Sequence, residues 1–368
     1  MAKVLVTGAS GFIGARIVRA LVERGEQVKV LLRASSSRAG LRKLPVEVAL
    51  GDITIEHTVY RALAGCDRVL HVAAVYKMWD RDPAKVLAPS IEGTRNVLEA
   101  VRRRNAAGDP IRKVVVTSSA AAIGVTRDRA GADENHAWDL DDSEIYVVAK
   151  RRAEELALSM AGELPIVVVN PGGVFGPADS KPTPSGGLVL KFLNWKAPIG
   201  FPGAPGGISI VDVDDVAQGH LLAMDKGRIG ERYILGGDNL TVTEVIDLLA
   251  SITGLPGAGR EAPKSLAELT GRAMELFARL TDGEPELTYK MARDFYDAAF
   301  WVDSGKAERE LGYQHRPARK TLARAIRWYL DHGYVRPEVA AEIRYDDLPG
   351  SDPEPMLPHE RTAVFQEG

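Results

Sequence analysis

The chain has 368 residues, enough for two domains or one domain with a lid, and 45% apolar with 26% charged residues is the texture of a folded protein with a real core. Lysine and arginine number 47 against 50 acids, a net charge of −3, so no cationic excess is available to neutralise nucleic acid. The single cysteine, Cys66, cannot close an internal disulfide, and no uncharged apolar run reaches the ~18 residues of a membrane span. A cytoplasmic protein with neither nucleic acid nor membrane as partner is the expectation. The N-terminus runs directly from Met1-Ala2-Lys3 into an apolar strand and reads as mature, with no signal peptide.

In chain order, short β-branched runs at 3–7, 27–32, 46–49, 68–73, 113–118 and 166–170 alternate with amphipathic segments at 13–24, 59–64, 84–105 and 143–161. This alternation predicts an α/β fold with a doubly wound parallel sheet, a Rossmann fold, over residues 1–170. Residues 171–207 are dense in Gly and Pro and read as a substrate-facing loop. A strand at 208–211, a helix at 214–226 capped by Asp214, and a strand at 231–235 are expected to return to the sheet and complete that domain. Segments 171–207 and 236–335 then form a smaller, mostly helical substrate lobe, with helices at 241–251, 266–280, 304–311 and 322–331. Residues 336–368 are an extension whose last stretch, rich in proline and acid, has the composition of a mobile tail.

The first chemical signal follows the first strand: Thr7-Gly8-Ala9-Ser10-Gly11-Phe12-Ile13-Gly14. Gly8 permits a tight turn, Gly11 a close approach to pyrophosphate, and Gly14 close packing of helix on strand, with the phosphates on the free amides of the helix N-terminus. Ser10, Phe12 and Ile13 belong to the same cofactor loop. The second strand ends at Arg33 where NAD-binding sheets place an acid, and Arg38, Arg42 and Lys43 follow; a guanidinium suits a 2′-phosphate, so NADP(H) is preferred and NAD(H) is the alternative. Asp52 and Ile53 sit where a carboxylate can accept from an adenine amine, or where a chain simply turns. Ala73 and Ala74 close the fourth strand with small residues, as a chain beneath a cofactor requires.

The second signal is Tyr146 and Lys150, four residues apart at the start of a helix and therefore on one face. The ammonium is expected to lower the phenol's pKa and make Tyr146 a general acid or base. Ser119, after Thr117 at the end of the fifth strand, is placed to hold a substrate oxygen. Scattered histidines show no metal-ligand spacing, and no metal is expected. Tyr76, Met78, Trp79, Phe175, Phe192, Trp195 and Phe201 offer apolar surface for a substrate with a hydrophobic or ring-containing body, with core packing as the competing role of each.

These motifs, together with Glu92-Gly93-Thr94-Arg95-Asn96-Val97, Asn170-Pro171-Gly172-Gly173-Val174-Phe175-Gly176-Pro177 and Val213-Asp214-Asp215-Val216-Ala217, resemble the extended short-chain dehydrogenase/reductase family over about residues 2–335. Within it the chain looks most like the dihydroflavonol 4-reductase group and bacterial relatives, including hopanoid-associated sugar epimerases. The resemblance implies Ser119, Tyr146 and Lys150 as the catalytic set, Lys150 on the nicotinamide ribose, and Pro171, Gly172 and Val174 beside the nicotinamide. It also implies a homodimer through a four-helix bundle of segments 84–105 and 143–161, with a monomer as the alternative. Ser90 stands where the family usually carries Asn, and Asp212 where it often carries His. The leading expectation is NADP(H)-dependent carbonyl reduction; a nucleotide-sugar epimerase or dehydratase that retains NAD, and a non-catalytic NADP-binding regulator, are the alternatives.

Overall fold

The computed structural model describes residues 3–74, 82, 84–138, 140–195, 203–261, 263–281, 283, 285, 287–344 and 348–350. Strands β1 (Lys3–Thr7), β2 (Gln27–Leu32), β3 (Val46–Leu50), β4 (Arg68–His71), β5 (Lys113–Thr117), β6 (Ile166–Pro171) and β9 (Arg232–Leu235) form a seven-stranded sheet in the order β3-β2-β1-β4-β5-β6-β9. Every pairing in it is parallel. The order reverses between β1 and β4, and the crevice above their C-terminal ends is where such a sheet binds ligands.

Both faces are covered, which is why the strands are apolar almost throughout. On one face Ile17, Val18 and Leu21 of α1 (Phe12–Glu23) join Leu221 and Met224 of α6 (Val213–Lys226) and Leu311 of α10 (Gly305–Leu311). On the other, Val59 of α2 (Glu56–Ala62), Val97, Leu98 and Val101 of α3 (Ala84–Ala106), and Ala157 of α4 (Ile145–Ser159) pack over the same strands.

Three expectations need correction. Strand β8 (Gly207–Asp212) does not join the main sheet; it pairs with β7 (Gly173–Phe175), β10 (Asp238–Thr241) and β11 (Ala299–Phe300) in a second sheet. These partners are two to four residues long, too short for a periodic signal. Segment 171–207 is not all loop, because Thr183 caps a helix, α5 (Pro184–Leu193), by accepting from the Gly186 amide, with Pro184 preset at its first position. Helix α6 is capped by Asp212 rather than Asp214: the Asp212 carboxylate accepts from the Asp214 amide at 2.9 Å and, wholly buried, also receives Arg316 and Arg324.

The second sheet shares a core with α5, α7 (Val242–Thr253) and α11 (Ala318–Asp331), built on Phe192, Val245, Leu249, Leu322, Ile326 and Tyr329. Helices α8 (Lys264–Thr281) and α9 (Tyr289–Phe295) pack on each other. Among the described residues no helix is long and apolar enough to cross a membrane.

Candidate active site

The loop after β1 is shaped by contacts that tolerate no side chain. Gly8 is left-handed (φ +73°), and a Cβ there would lie 2.5 Å from the Ala73 amide where β4 emerges. A Cβ on Gly14 would lie 2.1 Å from the Gly8 carbonyl, so only glycine lets α1 seat against the loop. Gly11 is different: its Cβ would meet only the Gly8 carbonyl at 3.3 Å, and as the N-cap of α1 it offers no side chain to the first-turn amides. An open, uncapped helix N-terminus of this kind is built for an anion. Ser10 is exposed and Phe12 and Ile13 half-buried beside it, while Ala73 and Ala74 border the cavity described below.

Arg33 stands exposed immediately after β2, with Arg38 and Arg42 also exposed. Asp52 Oδ1 accepts from the amide and hydroxyl of Thr54, so the carboxylate at least turns the chain. Ile53 is anchored through its carbonyl by Asn96 at 2.9 Å and packs where a Cβ on Gly93 would stand, which accounts for the Gly93 and Asn96 of the α3 motif.

Tyr146, Lys150, Ser90, Thr94, His71 and Glu154 border one cavity between α3, α4 and the ends of β4 and β5. Tyr146 is hydrogen-bonded to the Ser119 hydroxyl, which in turn accepts from the Ala121 amide at 3.1 Å. The Lys150 ammonium points to the Thr117 carbonyl at 3.5 Å. The two side chains thus share a face, but the expected lowering of the phenol does not occur. Burial pushes Tyr146 up to about 12, against a smaller lowering by Ser119. Lys150 is itself pulled down to about 8 by burial, opposed by the charge of Glu154. Burial dominates both shifts and neither draws on the other group, so at neutral pH the phenol keeps its proton.

Beneath Lys150 lies a polar network that sequence reasoning missed. Glu154, only 1% exposed, accepts from Asn170 Nδ2 at 2.6 Å and from Arg232 Nη1 at 2.7 Å. Asn170 Nδ2 also donates to the Ser119 carbonyl, tying this network to the strand end that presents Ser119. Its legible signal was the position of Glu154, one further turn along the Tyr146–Lys150 face. His71, beside the cavity, is pushed down to about 3 by burial and then by the Lys150 charge, so it is neutral, with Nδ1 2.8 Å from Thr7 Oγ1. His220 Nδ1 lies 2.7 Å from the Val216 carbonyl and must donate to it, which leaves Nε2 to accept from Thr117 Oγ1 at 2.9 Å. The Thr117 side chain is therefore occupied, and only its carbonyl faces Lys150.

Pro171 ends β6, and Gly172 is forced by the Ser209 carbonyl, 2.7 Å from where a Cβ would be; Val174 is half-buried in β7. Two expected substrate contacts are core instead. Phe175 and Phe192 are 2% and 3% exposed, packed into the lobe interior, because α5 and β7 turn these rings inward. Trp195, 41% exposed, follows α5 on the surface, while Tyr76, Met78, Trp79 and Phe201 lie outside the described residues. Tyr146 itself packs in a small apolar cluster with Val125, Trp138, Phe295 and Phe300 around buried Ala121, Leu140 and Val147, the Phe295 and Phe300 ring centroids 4.7 Å apart; these four residues do not border the cavity.

Residues 4–236 match the family model described as NAD dependent epimerase/dehydratase family. A Synechocystis protein named for dihydroflavonol 4-reductase is 36% identical over 90% of this chain and 95% of its own length. Sterol demethylase protein B of Methylococcus capsulatus is 34% identical over 90% of this chain and 99% of its own. A 4-hydroxy-2-methyl-3-oxo-4-farnesyl-3,4-dihydroquinoline-1-oxide ketoreductase of Stigmatella aurantiaca is 28% identical over 88% and 96%. Among solved structures, that of gox2253 superposes with a TM-score of 0.79 at 35% identity, covering 91% of this chain and all of that one. A nucleoside-diphosphate-sugar epimerase from Pseudomonas aeruginosa gives 0.73 at 26% identity, over 91% and 99%.

Proposed function

The chain belongs to the NAD dependent epimerase/dehydratase family, an NAD(P)-dependent enzyme of the extended short-chain dehydrogenase/reductase type, and from that premise we propose that it is an NADP(H)-dependent reductase of an apolar carbonyl compound. The observation that carries this reading is the Ser119–Tyr146 hydrogen bond with Lys150 in the same cavity. A protonated Tyr146 can donate to a carbonyl oxygen and takes the proton back in the reverse reaction, and relatives named as reductases support the reductive direction.

The open glycine loop, the small Ala73 and Ala74, and the exposed Arg33 fit a nicotinamide dinucleotide carrying a 2′-phosphate. When bound it supplies the hydride. Ser119 then holds the substrate oxygen, Tyr146 delivers its proton to that oxygen, and Lys150 keeps a positive charge next to the site. Glu154, through its hold on Asn170 and its charge near Lys150, keeps this group of residues in place. Relatives named for a dihydroflavonol, a sterol and a farnesylated ring support an apolar substrate.

The neighbouring sugar-nucleotide epimerase fold supports a second reading, in which NAD stays bound and the hydride returns to the same substrate. Arg293, a cation that could hold a diphosphate, is instead engaged by Asp142 and Asp294. The test is fluorescence titration with NADPH and NADH, an assay of nucleotide carried through purification, and turnover of a ketone panel by the native chain and Tyr146→Phe. Reversible binding that favours NADPH at least tenfold, with ketone turnover lost in Tyr146→Phe but NADPH binding kept, is the expected result. Tightly retained NAD, or unchanged turnover in Tyr146→Phe, overturns it.

A further inference from the structure

Tyr146 is the second residue of α4, and that helix opens without the side-chain cap that starts α5, α6, α7 and α9. Glu144 stands at its N-cap position, yet the carboxylate makes no bond to its own helix and accepts instead from the Thr288 hydroxyl. Thr288 is itself the cap of α9, accepting from the Met291 amide at 3.0 Å. One threonine thus closes the N-terminus of α9 and holds the residue that opens α4.

The two residues before Glu144 are gripped by the same helix. Ser143 Oγ donates to Asp294 Oδ2 at 2.8 Å, and Lys290 Nζ donates to the Ser143 carbonyl at 3.3 Å and to the Asp142 carboxylate at 3.0 Å. Arg293 Nη2 donates to the Asp142 carbonyl at 2.9 Å. Helix α9 in turn lies tight on α8, where Glu275 accepts from the Tyr289 amide at 2.9 Å and a Cβ on Gly271 would strike the Thr288 backbone at 2.6 Å. The exposed contacts of Asp142 add little. Ser143, Glu144 and Thr288, however, are 4%, 4% and 2% exposed, and polar groups so buried cost free energy whenever they lack a partner. Helix α9 therefore cannot move off the start of α4 without leaving them unsatisfied. The carboxylates of Glu275 and Asp294 and the ammonium of Lys290 act on Glu144 with opposite signs, so the Thr288 hydroxyl, not net charge, is what holds it.

We infer that α9, carried by the substrate lobe, is a clamp that sets the place of Tyr146, with Thr288 and Ser143 as positioning residues, an inference that rests on Tyr146 as the proton donor. Its two ends act on the same side chain: Thr288 fixes the turn that bears Tyr146, and Phe295, the last residue of α9, packs in the apolar cluster with the ring. Two turns further along, α4 is held separately, through Glu154 by Asn170 and Arg232. Loosening the clamp therefore displaces the proton donor and leaves Lys150 where it is. A donor displaced by about 1 Å loses on the order of a hundredfold in rate.

The test compares Thr288→Val, Thr288→Ser and Ser143→Ala with the native chain in NADPH-dependent ketone reduction, NADPH titration and amide hydrogen exchange of peptides covering residues 143–150. Thr288→Val is expected to lower kcat tenfold or more, with KM, NADPH affinity and the alkaline limb of the pH profile unchanged, and to speed exchange at the start of α4. It also uncaps α9, so a lower thermal midpoint accompanies it in any case. Thr288→Ser keeps both bonds of the hydroxyl and is expected to restore native kcat. Should Thr288→Val fail to fold, Ser143→Ala, which removes only the bond to Asp294, carries the same test. Native kcat in the folded variants overturns the inference, as does a loss of kcat that Thr288→Ser does not restore or that comes with weaker NADPH binding or a moved limb. Hydrogen exchange needs no substrate. A native chain that reduces no ketone sinks the reductase alone, and unchanged exchange at 143–150 then sinks the clamp.

Discussion

Replacing Glu154 by Gln separates what the buried network does for stability from what it does for Lys150. Glu154 is 1% exposed and Arg232 16%, so the glutamine leaves a largely buried guanidinium without its counter-charge. Breaking such a pair costs about 3 kcal/mol, the lower end of the usual range because the amide oxygen still accepts one bond. For 368 residues the unfolding entropy makes this a fall of about 4 °C in Tm. The second effect is electrostatic. Glu154 is the group that opposes the burial pulling Lys150 down to about 8, so its loss should move the alkaline limb of kcat/KM for NADPH-dependent ketone reduction lower by about one pH unit. The assay is a pH profile of kcat/KM beside differential scanning fluorimetry. Glu154→Leu with Arg232→Met removes both charges and should recover most of the stability while keeping the displaced limb. An unmoved limb in Glu154→Gln, with Tm lowered as expected, would refute the link to Lys150 and leave Glu154 a packing element.

In the native chain the same profile should be flat up to about pH 8 and fall above it as Lys150 loses its charge, since Tyr146 stays protonated to about 12; constant kcat/KM to pH 10 contradicts the assignment. Arg33→Ser should weaken NADPH binding by roughly ten- to a hundredfold, the loss of a charge-assisted bond to phosphate, and leave NADH unchanged in the same titration. Acid should destabilise the fold through its buried neutral histidines. His71 and His220, pushed down to about 3 and about 4, stay unprotonated in the native state below pH 6.5 while the unfolded chain takes up protons, which removes up to ~1.4 kcal/mol per pH unit for each. Asp179, pushed up to about 6 by burial, acts oppositely between pH 6 and 3.8 because the native state holds its proton longer. Urea midpoints should thus drop from pH 7 to 5, and the drop should be smaller in His220→Gln; an equal drop refutes the neutral His220. Phe192→Ala should cost about 3–5 kcal/mol of stability as a cavity in the lobe core, read by urea titration, with Tm and activity falling together rather than a selective rise in KM.

Much of the main domain was legible in the chain because its signals are local. Alternating β-branched runs, three glycines at fixed spacing, and Tyr146 four residues before Lys150 each encode a strand, a turn or a helix face within a few residues. The parallel sheet and the shared cavity of Tyr146 and Lys150 follow from them. What required the tertiary structure arises between distant segments. The second sheet rests on two- to four-residue strands that gain their partners only after the chain has folded back. Phe175 and Phe192 read equally well as substrate wall or core, because apolarity does not say which way a ring faces; Phe295 and Phe300, remote in sequence, are the rings that share an apolar cluster with Tyr146. The protonation of Tyr146 was mispredicted for the same reason. Spacing on a helix gives the direction of a charge effect, whereas desolvation depends on everything packed around each group, and here burial dominates both shifts. Helix α8 is the converse case: its amphipathic period is plain in sequence, but only the packing of Gly271 and Ala278 against the body shows that the large side chains are the ones left facing out.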